Sequence, residues 1–217
     1  MTPKLSGPML PPKSGAAPRQ LVVLLHGYGS DGADLISLAP YWQDVLPDAL
    51  FVSPNAHETC VGTPGYQWFA LDYDTDRVAN RQEGLPLARP VLLQFLADLW
   101  EQTGLSARDT ILAGFSQGAM MALHVGLSLP QAPMGIIAFS GALVIPEGFG
   151  MAGPPVAIIH GDQDNVVYPE LGAEAASVLK AASYDVRYHV SPGVGHAIAP
   201  DGLAFATDFI AEIAKTK

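Results

Sequence analysis

The sequence GFSQG at 114–118 places Ser116 between two glycines, in a pattern that suits a nucleophilic serine. It stands between the apolar run TILAG (110–114), a predicted strand, and a segment with helical spacing that begins near Gln117. In such a sharp reversal a side chain larger than hydrogen would collide two residues before or after the serine. The serine then projects over the sheet at the positive end of a helix, which favours the negative charge that develops in acyl transfer.

A serine hydroxyl needs a neighbouring base to remove its proton, and His196 is the predicted base. In hydrolases with this strand, turn and helix arrangement, the histidine follows the serine and the acid in the chain. The other five histidines lie before the serine, close to it, or within predicted strands. His196 ends the glycine-containing loop SPGVGH (191–196), which can hold an imidazole over the edge of the sheet.

The acid that orients the imidazole is expected after the predicted strand VAIIH (156–160), where the loop contains two aspartates. Asp164 lies deeper in this loop and precedes an apolar turn, so its carboxylate could be shielded from water and directed at His196. Asp162 is the alternative, and the aspartate that is not the acid would cap a turn. The sequence favours Asp164 as the third member of the triad.

Acyl transfer also requires backbone N–H groups that bind the oxyanion of the tetrahedral intermediate. The residue after the nucleophile, Gln117, is predicted to supply one of them. The second is expected near the glycine loop, which we define as HGYGSDG (26–32), and Leu25 at its entry is the candidate. The glycine loop lacks the Lys-Ser/Thr ending of a phosphate-binding loop, so no nucleotide site is predicted.

The elements that carry these residues alternate between strands and helices. This order predicts βαβ units and a mostly parallel sheet with helices on both faces, in one domain over residues 1–217. Residues 1–20 are rich in Pro and Gly and predict only an edge strand near Lys4–Met9. The other predicted strands are 21–25, 49–53, 110–114, 135–140, 156–160 and 185–190, and the predicted helices are 34–46, 85–102, 117–129, 169–182 and 202–214.

Two longer irregular stretches, about 54–81 and 141–155, are candidates for loops that contact substrate. Their apolar side chains either cover the edge of the core or form a substrate wall. The second stretch is too rich in Gly and Pro to hold a helical lid, so the site is expected to be open to water. The candidate wall residues are Trp68, Phe69, Val144 and Phe149, with Ile145 and Met151 close by.

The composition argues against several other functions. The chain has 21 acidic and 11 basic side chains and a formal charge of -10, which disfavours binding to nucleic acids or anionic membranes. A single cysteine, Cys60, cannot form an internal disulfide, and no apolar run is long enough to cross a bilayer. We therefore expect a cytoplasmic protein that acts on a small molecule and does not insert stably into a membrane. The sequence also allows a homodimer.

From about Leu21 to the C-terminus, the chain resembles the phospholipase/carboxylesterase family of α/β hydrolases, which includes bacterial carboxylesterases and acyl-protein thioesterases. The resemblance is carried by LLHGYGSDGADL, SPNA, WFAL, GFSQGAM, HGDQDNVV and GHAI. It implies the α/β-hydrolase fold, ester hydrolysis through an acyl-serine intermediate, the same triad and oxyanion donors, and no metal or other cofactor. The 54–81 segment matches only around SPNA and WFAL, which leaves short- to medium-chain esters, thioesters and lysophospholipids as candidate substrates.

Two other functions are less favoured. A dienelactone-hydrolase-like enzyme would carry a cysteine in the sharp strand-to-helix turn at 114–118, which we call the elbow. This chain has Ser116 there, and Cys60 lies in a predicted loop. A ligand-binding protein of the same fold would not need the predicted triad together with the glycine loop.

Overall fold

The computed structural model describes residues 3–71 and 77–215, in which strands and helices alternate as the sequence predicts. The strands are β1 (Met9–Leu10), β2 (Gln20–Leu25), β3 (Ala49–Val52), β4 (Glu58–Thr59), β5 (Tyr66–Gln67), β6 (Thr110–Phe115), β7 (Gly135–Phe139), β8 (Val156–Gly161) and β9 (Val186–Ser191). The helices are α1 (Gly32–Leu35), α2 (Ala39–Trp42), α3 (Arg77–Thr103), α4 (Gln117–Gly126), α5 (Pro169–Ala181) and α6 (Pro200–Lys215), and 3-10 turns lie at Ile36–Leu38 and Ala107–Asp109.

Seven strands form one mostly parallel sheet, in agreement with the predicted fold class. Their order is β1, β3, β2, β6, β7, β8 and β9, and only β1 is antiparallel to its neighbour. The interior strands β6, β7 and β8 are buried almost throughout, as continuous apolar runs in parallel sheets usually are. The edge strand β9 is only partly buried. The six strands predicted from Leu21 onwards each end within one residue of the prediction.

Helices cover both faces of the sheet because successive residues of each strand point to opposite sides. In β2, Leu21 and Val23 belong to a core cluster that also contains apolar residues of α3, α4 and α5. Val22 and Leu24 belong to a second cluster, which contains Trp42 of α2 and apolar residues of α6. The elbow at Ser116 and the loops next to it are therefore supported by two packed layers.

Proline explains why the helix predicted over 34–46 is wrong in detail. The segment forms three short pieces, which begin at Gly32 and end at Trp42. Pro40 has no N–H to donate to the carbonyl of Ile36, so a continuous α-helical ladder cannot pass this point. The first piece begins earlier than predicted because the Asp31 carboxylate accepts a hydrogen bond from the N–H of Asp34.

The region before the helix predicted over 85–102 also differs from the prediction. Helix α3 begins at Arg77 and contains Pro86 and Pro90. Its first turns are mostly polar and so lack the apolar periodicity on which the prediction relied. Upstream, β4 and β5 form a short hairpin that was not predicted, and Ser30 of the glycine loop bridges to Tyr66 of β5. Of the edge strand predicted near Lys4–Met9, only Met9 lies in a strand, the two-residue β1.

The carboxyl ends of the parallel strands face one edge of the sheet, where the candidate residues gather. Strand β2 lies between β3 and β6, so the connections that leave β2 and β6 run to opposite sides and open a crevice. Residues 140–155, between β7 and β8, contain no helix, as the sequence predicts. Among the described residues no helix combines the length and apolar character that crossing a bilayer requires.

Candidate active site

Ser116 occupies a strained turn between β6 and α4. Its φ of 55° and ψ of -117° lie in a region that a residue with a side chain rarely adopts. A Cβ at Gly114 would lie 2.3 Å from the carbonyl carbon of Gly118, and a Cβ at Gly118 would lie 1.9 Å from the carbonyl oxygen of Leu25. Both are backbone collisions, so the predicted need for two glycines is confirmed.

A chain of hydrogen bonds links Ser116, His196 and Asp164. The Nε2 atom of His196 lies 3.0 Å from the Ser116 Oγ, and its Nδ1 atom lies 2.7 Å from the Asp164 Oδ2. The ring of Phe115 packs against the imidazole with 4.7 Å between the ring centres. The structure thus brings together three residues that the sequence separates by 48 and 32 positions.

Asp164 is held as a carboxylate by the loop that carries it. Its side chain is fully buried, and its Oδ1 accepts hydrogen bonds from the N–H groups of Val166 and Val167, both at 2.9 Å. Burial opposes ionisation, but the hydrogen bonds from His196 and from these two N–H groups outweigh it and hold the pKa of Asp164 below its usual value. An ionised Asp164 fixes the imidazole with its Nδ1–H towards the carboxylate and its Nε2 towards the serine.

Asp162 is exposed and lies in a different position. Its Oδ1 accepts a hydrogen bond from the N–H of Gly193 at 2.6 Å. Gly193 adopts a φ of +71° at the turn of the loop that carries His196. Asp162 therefore caps this turn, which is the role that the sequence assigns to the aspartate that is not the acid.

The sequence assigns His160 only to a strand, and the structure places it in β8 beside Asp164. Its Nε2–H donates to the carbonyl of Val167 at 2.8 Å, and the same nitrogen lies 3.4 Å from the Asp164 Oδ2. The ring is buried beneath α5, where a Cβ at Gly172 would approach its Nδ1 to 2.5 Å. The motif HGDQD, with a histidine four residues before the acid at the end of a buried strand, is the signal that could have identified it.

The predicted oxyanion donor Leu25 is not at the cavity. It is fully buried as the last residue of β2 and pairs with Gly114 in the sheet, so its backbone belongs to the ladder. The glycine loop reaches Ser116 two residues later, where a Cβ at Gly27 would lie 3.3 Å from the Cβ of Ser116. Gly27 and Tyr28 line the cavity at Ser116.

Neutral His26 stabilises the glycine loop by hydrogen bonds. Its Nδ1–H donates to the carbonyl of Gly27 at 2.7 Å, and its Nε2 accepts a hydrogen bond from the N–H of Ala56 at 2.9 Å. The indole N–H of Trp68 donates to the carbonyl of His26 at 2.9 Å. Burial lowers the pKa of His26, which keeps the acceptor nitrogen free of a proton.

The catalytic cavity is the space of about 380 Å³ into which Ser116 and His196 open. Phe69, predicted as a wall residue, lines it. The prediction for Trp68 is not supported, because its side chain is fully buried and packs against His26. Further lining residues that the sequence did not single out include Tyr28, Leu71, Met120, Val166 and Val167.

The two wall residues predicted in 141–155 lie elsewhere. Val144 lines a second cavity, described below. The ring of Phe149 stacks on that of Tyr184 with 5.5 Å between the ring centres and 3° between the planes. This stacking directs Phe149 towards the core, so it covers the core edge, the alternative role that the sequence allows for these residues.

The side chain of Gln117 joins the elbow to the segment that carries Phe69. Its Oε1 accepts a hydrogen bond from the N–H of Trp68 at 3.1 Å, and its Nε2 donates to the carbonyl of Phe69 at 2.9 Å. Both polar atoms of the Gln117 amide are thus hydrogen-bonded to the backbone of this segment. Within the described residues, no group of three or more His, Cys, Asp or Glu could hold a metal ion.

Comparison with known proteins identifies the family. The family described as Phospholipase/Carboxylesterase matches residues 12–214. Esterase YpfH of Escherichia coli K12 is 31% identical over 88% of this chain and 82% of its own length, and acyl-protein thioesterase 1 of Neurospora crassa is 29% identical over 88% and 85%. The crystal structure of esterase PE8 is 53% identical, with a TM-score of 0.90 over 97% of this chain and 99% of its own. The predicted α/β-hydrolase fold is confirmed, and the chain belongs to the phospholipase/carboxylesterase family as a hydrolase of ester bonds.

Proposed function

We propose that the protein is a serine carboxylesterase that hydrolyses short- to medium-chain carboxylic esters through an acyl intermediate on Ser116. The observation that carries this proposal is the hydrogen-bonded series from the Ser116 Oγ through His196 to the buried Asp164. A serine that opens into a cavity, a base within reach of its proton and a buried acid that orients the base are the parts that acyl transfer requires.

In the first step, the Ser116 Oγ attacks the ester carbonyl while His196 Nε2 takes its proton. Asp164 stabilises the resulting imidazolium. The same proton then passes to the oxygen of the leaving alcohol as the C–O bond breaks. In the second step, His196 deprotonates a water molecule that attacks the acyl-serine, and it returns the proton to the Ser116 Oγ as the acid is released.

The oxyanion is proposed to bind to two backbone N–H groups. One belongs to Gln117, which follows the nucleophile at the start of α4. For the second we replace Leu25 by Tyr28, because Tyr28 lines the catalytic cavity and follows the close approach of Gly27 to Ser116. The bond that His26 makes to the carbonyl of Gly27 supports this arrangement, since it orients the peptide that contains the Tyr28 N–H.

Short and medium acyl groups are proposed because the catalytic cavity is small and has no helical cover between β7 and β8. Phe69, Met120 and Val167 offer an apolar surface on which each added methylene contributes up to about 0.8 kcal/mol until the surface is filled. For unsubstituted acyl chains the optimum is expected at about four to eight carbons. Similarity to acyl-protein thioesterase 1 makes thioesters the second substrate class to test.

Initial rates on p-nitrophenyl esters of increasing acyl length, on a thioester and on a lysophospholipid test the proposal. A fluorophosphonate should label Ser116 and stop every hydrolysis that the protein performs. Labelling of another residue would contradict the assignment of the nucleophile. A sharp rise in rate as the substrate passes its solubility limit would show that a lid covers the site.

We also propose that residues 1–217 form one domain and that the protein acts in the cytoplasm on a small-molecule ester. The single cysteine agrees with a reducing compartment, and the formal charge of -10 disfavours nucleic acids as partners. Gel filtration at several protein concentrations would separate a monomer from the homodimer that the sequence allows.

A further inference from the structure

A second cavity of about 870 Å³ adjoins the catalytic cavity. This distal cavity lies between α3, α4, α5 and residues 143–147. Arg81 lines both cavities, so they meet at this residue. We use the term trough for the two cavities together.

One face of α4 forms the floor of the trough. Ser116, Met120 and His124 follow each other at intervals of four residues, so they lie on the same side of the helix. Ser116 and Met120 line the catalytic cavity, and His124 lines the distal cavity. Eight residues at a rise of about 1.5 Å put His124 about 12 Å from the nucleophile along the helix axis.

His124 offers an unused hydrogen-bond acceptor to the distal cavity. The residue is only 3% exposed, and its Nδ1–H donates to the carbonyl of Val144 at 3.1 Å. Its Nε2 has no hydrogen-bond partner among residues 3–71 and 77–215. Burial lowers the pKa of His124 and the nearby Arg89 acts in the same direction, so Nε2 carries a lone pair at neutral pH.

Arg89 offers unused donors beside this acceptor. Its Nε donates to the Ser128 Oγ at 3.0 Å, and none of the described carboxylates lies within 4 Å of its guanidinium. The guanidinium has five N–H donors, of which this bond uses one. A ligand group that meets both Arg89 and His124 must therefore accept one hydrogen bond and donate another.

The charges around the distal cavity disfavour an anion. Arg81 and Arg89 are balanced by Glu147 and Glu174, which also line the cavity, and the whole chain carries a formal charge of -10. A hydroxyl group matches the donor and the acceptor without adding charge. The apolar residues Leu143 and Leu171 provide contact for a hydrocarbon chain that leads to it.

The distal cavity lies away from His196, on the side that the acyl group can occupy. His196, which must protonate the leaving alcohol, packs on Phe115, and Phe115 belongs to the α6 side of the sheet. Met120 belongs to the opposite side, with α3 and α4. The alcohol therefore leaves past His196, whereas the acyl group that stays on Ser116 extends along α4 towards His124.

We propose that the trough selects acyl chains that carry a hydroxyl group about 12 Å from the ester carbonyl. Arg89 donates a hydrogen bond to the hydroxyl oxygen, and His124 Nε2 accepts a hydrogen bond from the hydroxyl O–H. This inference rests on the proposed acyl transfer at Ser116. An extended chain of about eight to ten carbons covers the distance, so ω-hydroxyacyl esters of that length are the substrate class.

The test compares p-nitrophenyl 10-hydroxydecanoate with p-nitrophenyl decanoate below their solubility limits, with the butyrate ester as a reference that ends before His124. We expect kcat/KM to be about tenfold higher for the hydroxylated ester, since one of its two hydrogen bonds involves a charged donor. The ω-carboxylate analogue should be a poorer substrate than the hydroxylated ester.

Two variants remove the recognising groups one at a time. His124→Asn keeps a donor for the carbonyl of Val144 but lacks the Nε2 acceptor, and Arg89→Met keeps the apolar stem without the cation. Each should reduce the preference for the hydroxylated ester to about twofold or less. Gln94→Ala, on the exposed face of α3 where Gln94 bonds only Asp98, is the control and should keep the full preference.

The preference is a ratio within each variant, so a general loss of activity cancels. Butyrate hydrolysis without a preference for the hydroxylated ester in the wild type would overturn the inference and leave the proposed function in place. A preference that survives in both variants, or a faster ω-carboxylate ester, would also overturn it. No hydrolysis of any ester would refute the proposed function, and the inference with it.

Discussion

The two ends of the trough differ in how their polar groups are used. At the catalytic end, His196 is hydrogen-bonded to both Ser116 and Asp164. Asp164 also accepts hydrogen bonds from two backbone N–H groups. At the distal end, Nε2 of His124 and most donors of Arg89 have no partner among the described residues. One end is fixed by internal hydrogen bonds, whereas the other has hydrogen-bonding capacity left for a ligand.

This difference follows from what each end must do. Proton transfer between serine and histidine needs heavy atoms held close to 3 Å apart, so the surrounding loops must fix both side chains before substrate arrives. Recognition of a substrate group needs the opposite, because a donor already satisfied within the protein gains nothing from a ligand. Variants at the catalytic end should therefore change the rate for all esters, and variants at the distal end should change selectivity.

The largest effect is expected from Ser116→Ala. It removes the atom that forms the acyl intermediate, so kcat on a short p-nitrophenyl ester should fall by about 10³–10⁶. The fold should remain intact, because alanine is no larger than serine, and circular dichroism can verify this. Activity close to that of the wild type would mean that another residue is the nucleophile.

The two aspartates test how strictly the catalytic end is fixed. Asp164→Asn should lower kcat by about 10⁴, because the amide no longer stabilises the imidazolium and permits the wrong tautomer. Asp162→Asn is the matched control in the same loop and should lower kcat far less, since Asp162 bonds only the turn at Gly193. Steady-state rates of the two variants decide this, and the reverse order would make Asp162 the acid.

A smaller effect is expected from Gln117→Leu, which keeps the backbone N–H but removes the side-chain amide. The buried N–H of Trp68 and carbonyl of Phe69 would lose their partners, at a cost of about 2 kcal/mol in the free energy of unfolding. Phe69 would be held less firmly, and kcat/KM should fall about tenfold for all acyl lengths. Urea denaturation and rates on three esters measure both quantities.

In that experiment Gln94→Leu, on the exposed face of α3, is the control and should leave stability and rates almost unchanged. A Gln117→Leu variant as stable and active as the wild type would show that the amide does not hold the Phe69 segment.

The smallest effect concerns pH. Burial lowers the pKa of His26 and of His124, so the unfolded chain takes up protons near pH 6.5 that the folded chain binds only at lower pH. The free energy of unfolding should therefore fall as pH is lowered from about 6.5 through these lowered pKa values. Urea denaturation at several pH values should show a shallower dependence for His124→Asn than for the wild type. Equal slopes would contradict the lowered pKa of His124.

Much of the catalytic end could be predicted from the sequence because its constraints are local. The elbow needs glycine at 114 and 118 whatever surrounds it, and the strands that end at the site are continuous apolar runs. The oxyanion donor is different, because Leu25 directly precedes the glycine loop and Tyr28 lies within it. The sequence already places Leu25 in a predicted strand, but only the structure shows that Tyr28 reaches the cavity.

The sequence alone determined the α/β order, the elbow at Ser116, and the histidine and aspartate that follow it, since chain order and tight turns restrict these choices. The tertiary structure decided which apolar side chains face the cavity: Phe69 does, whereas Trp68 turns inward to bond His26. It also decided that His124 and Arg89, which are 35 residues apart, meet beside one cavity. Such contacts depend on how the helices pack on the sheet. Long-range interactions determine that packing, and a local sequence pattern does not predict it.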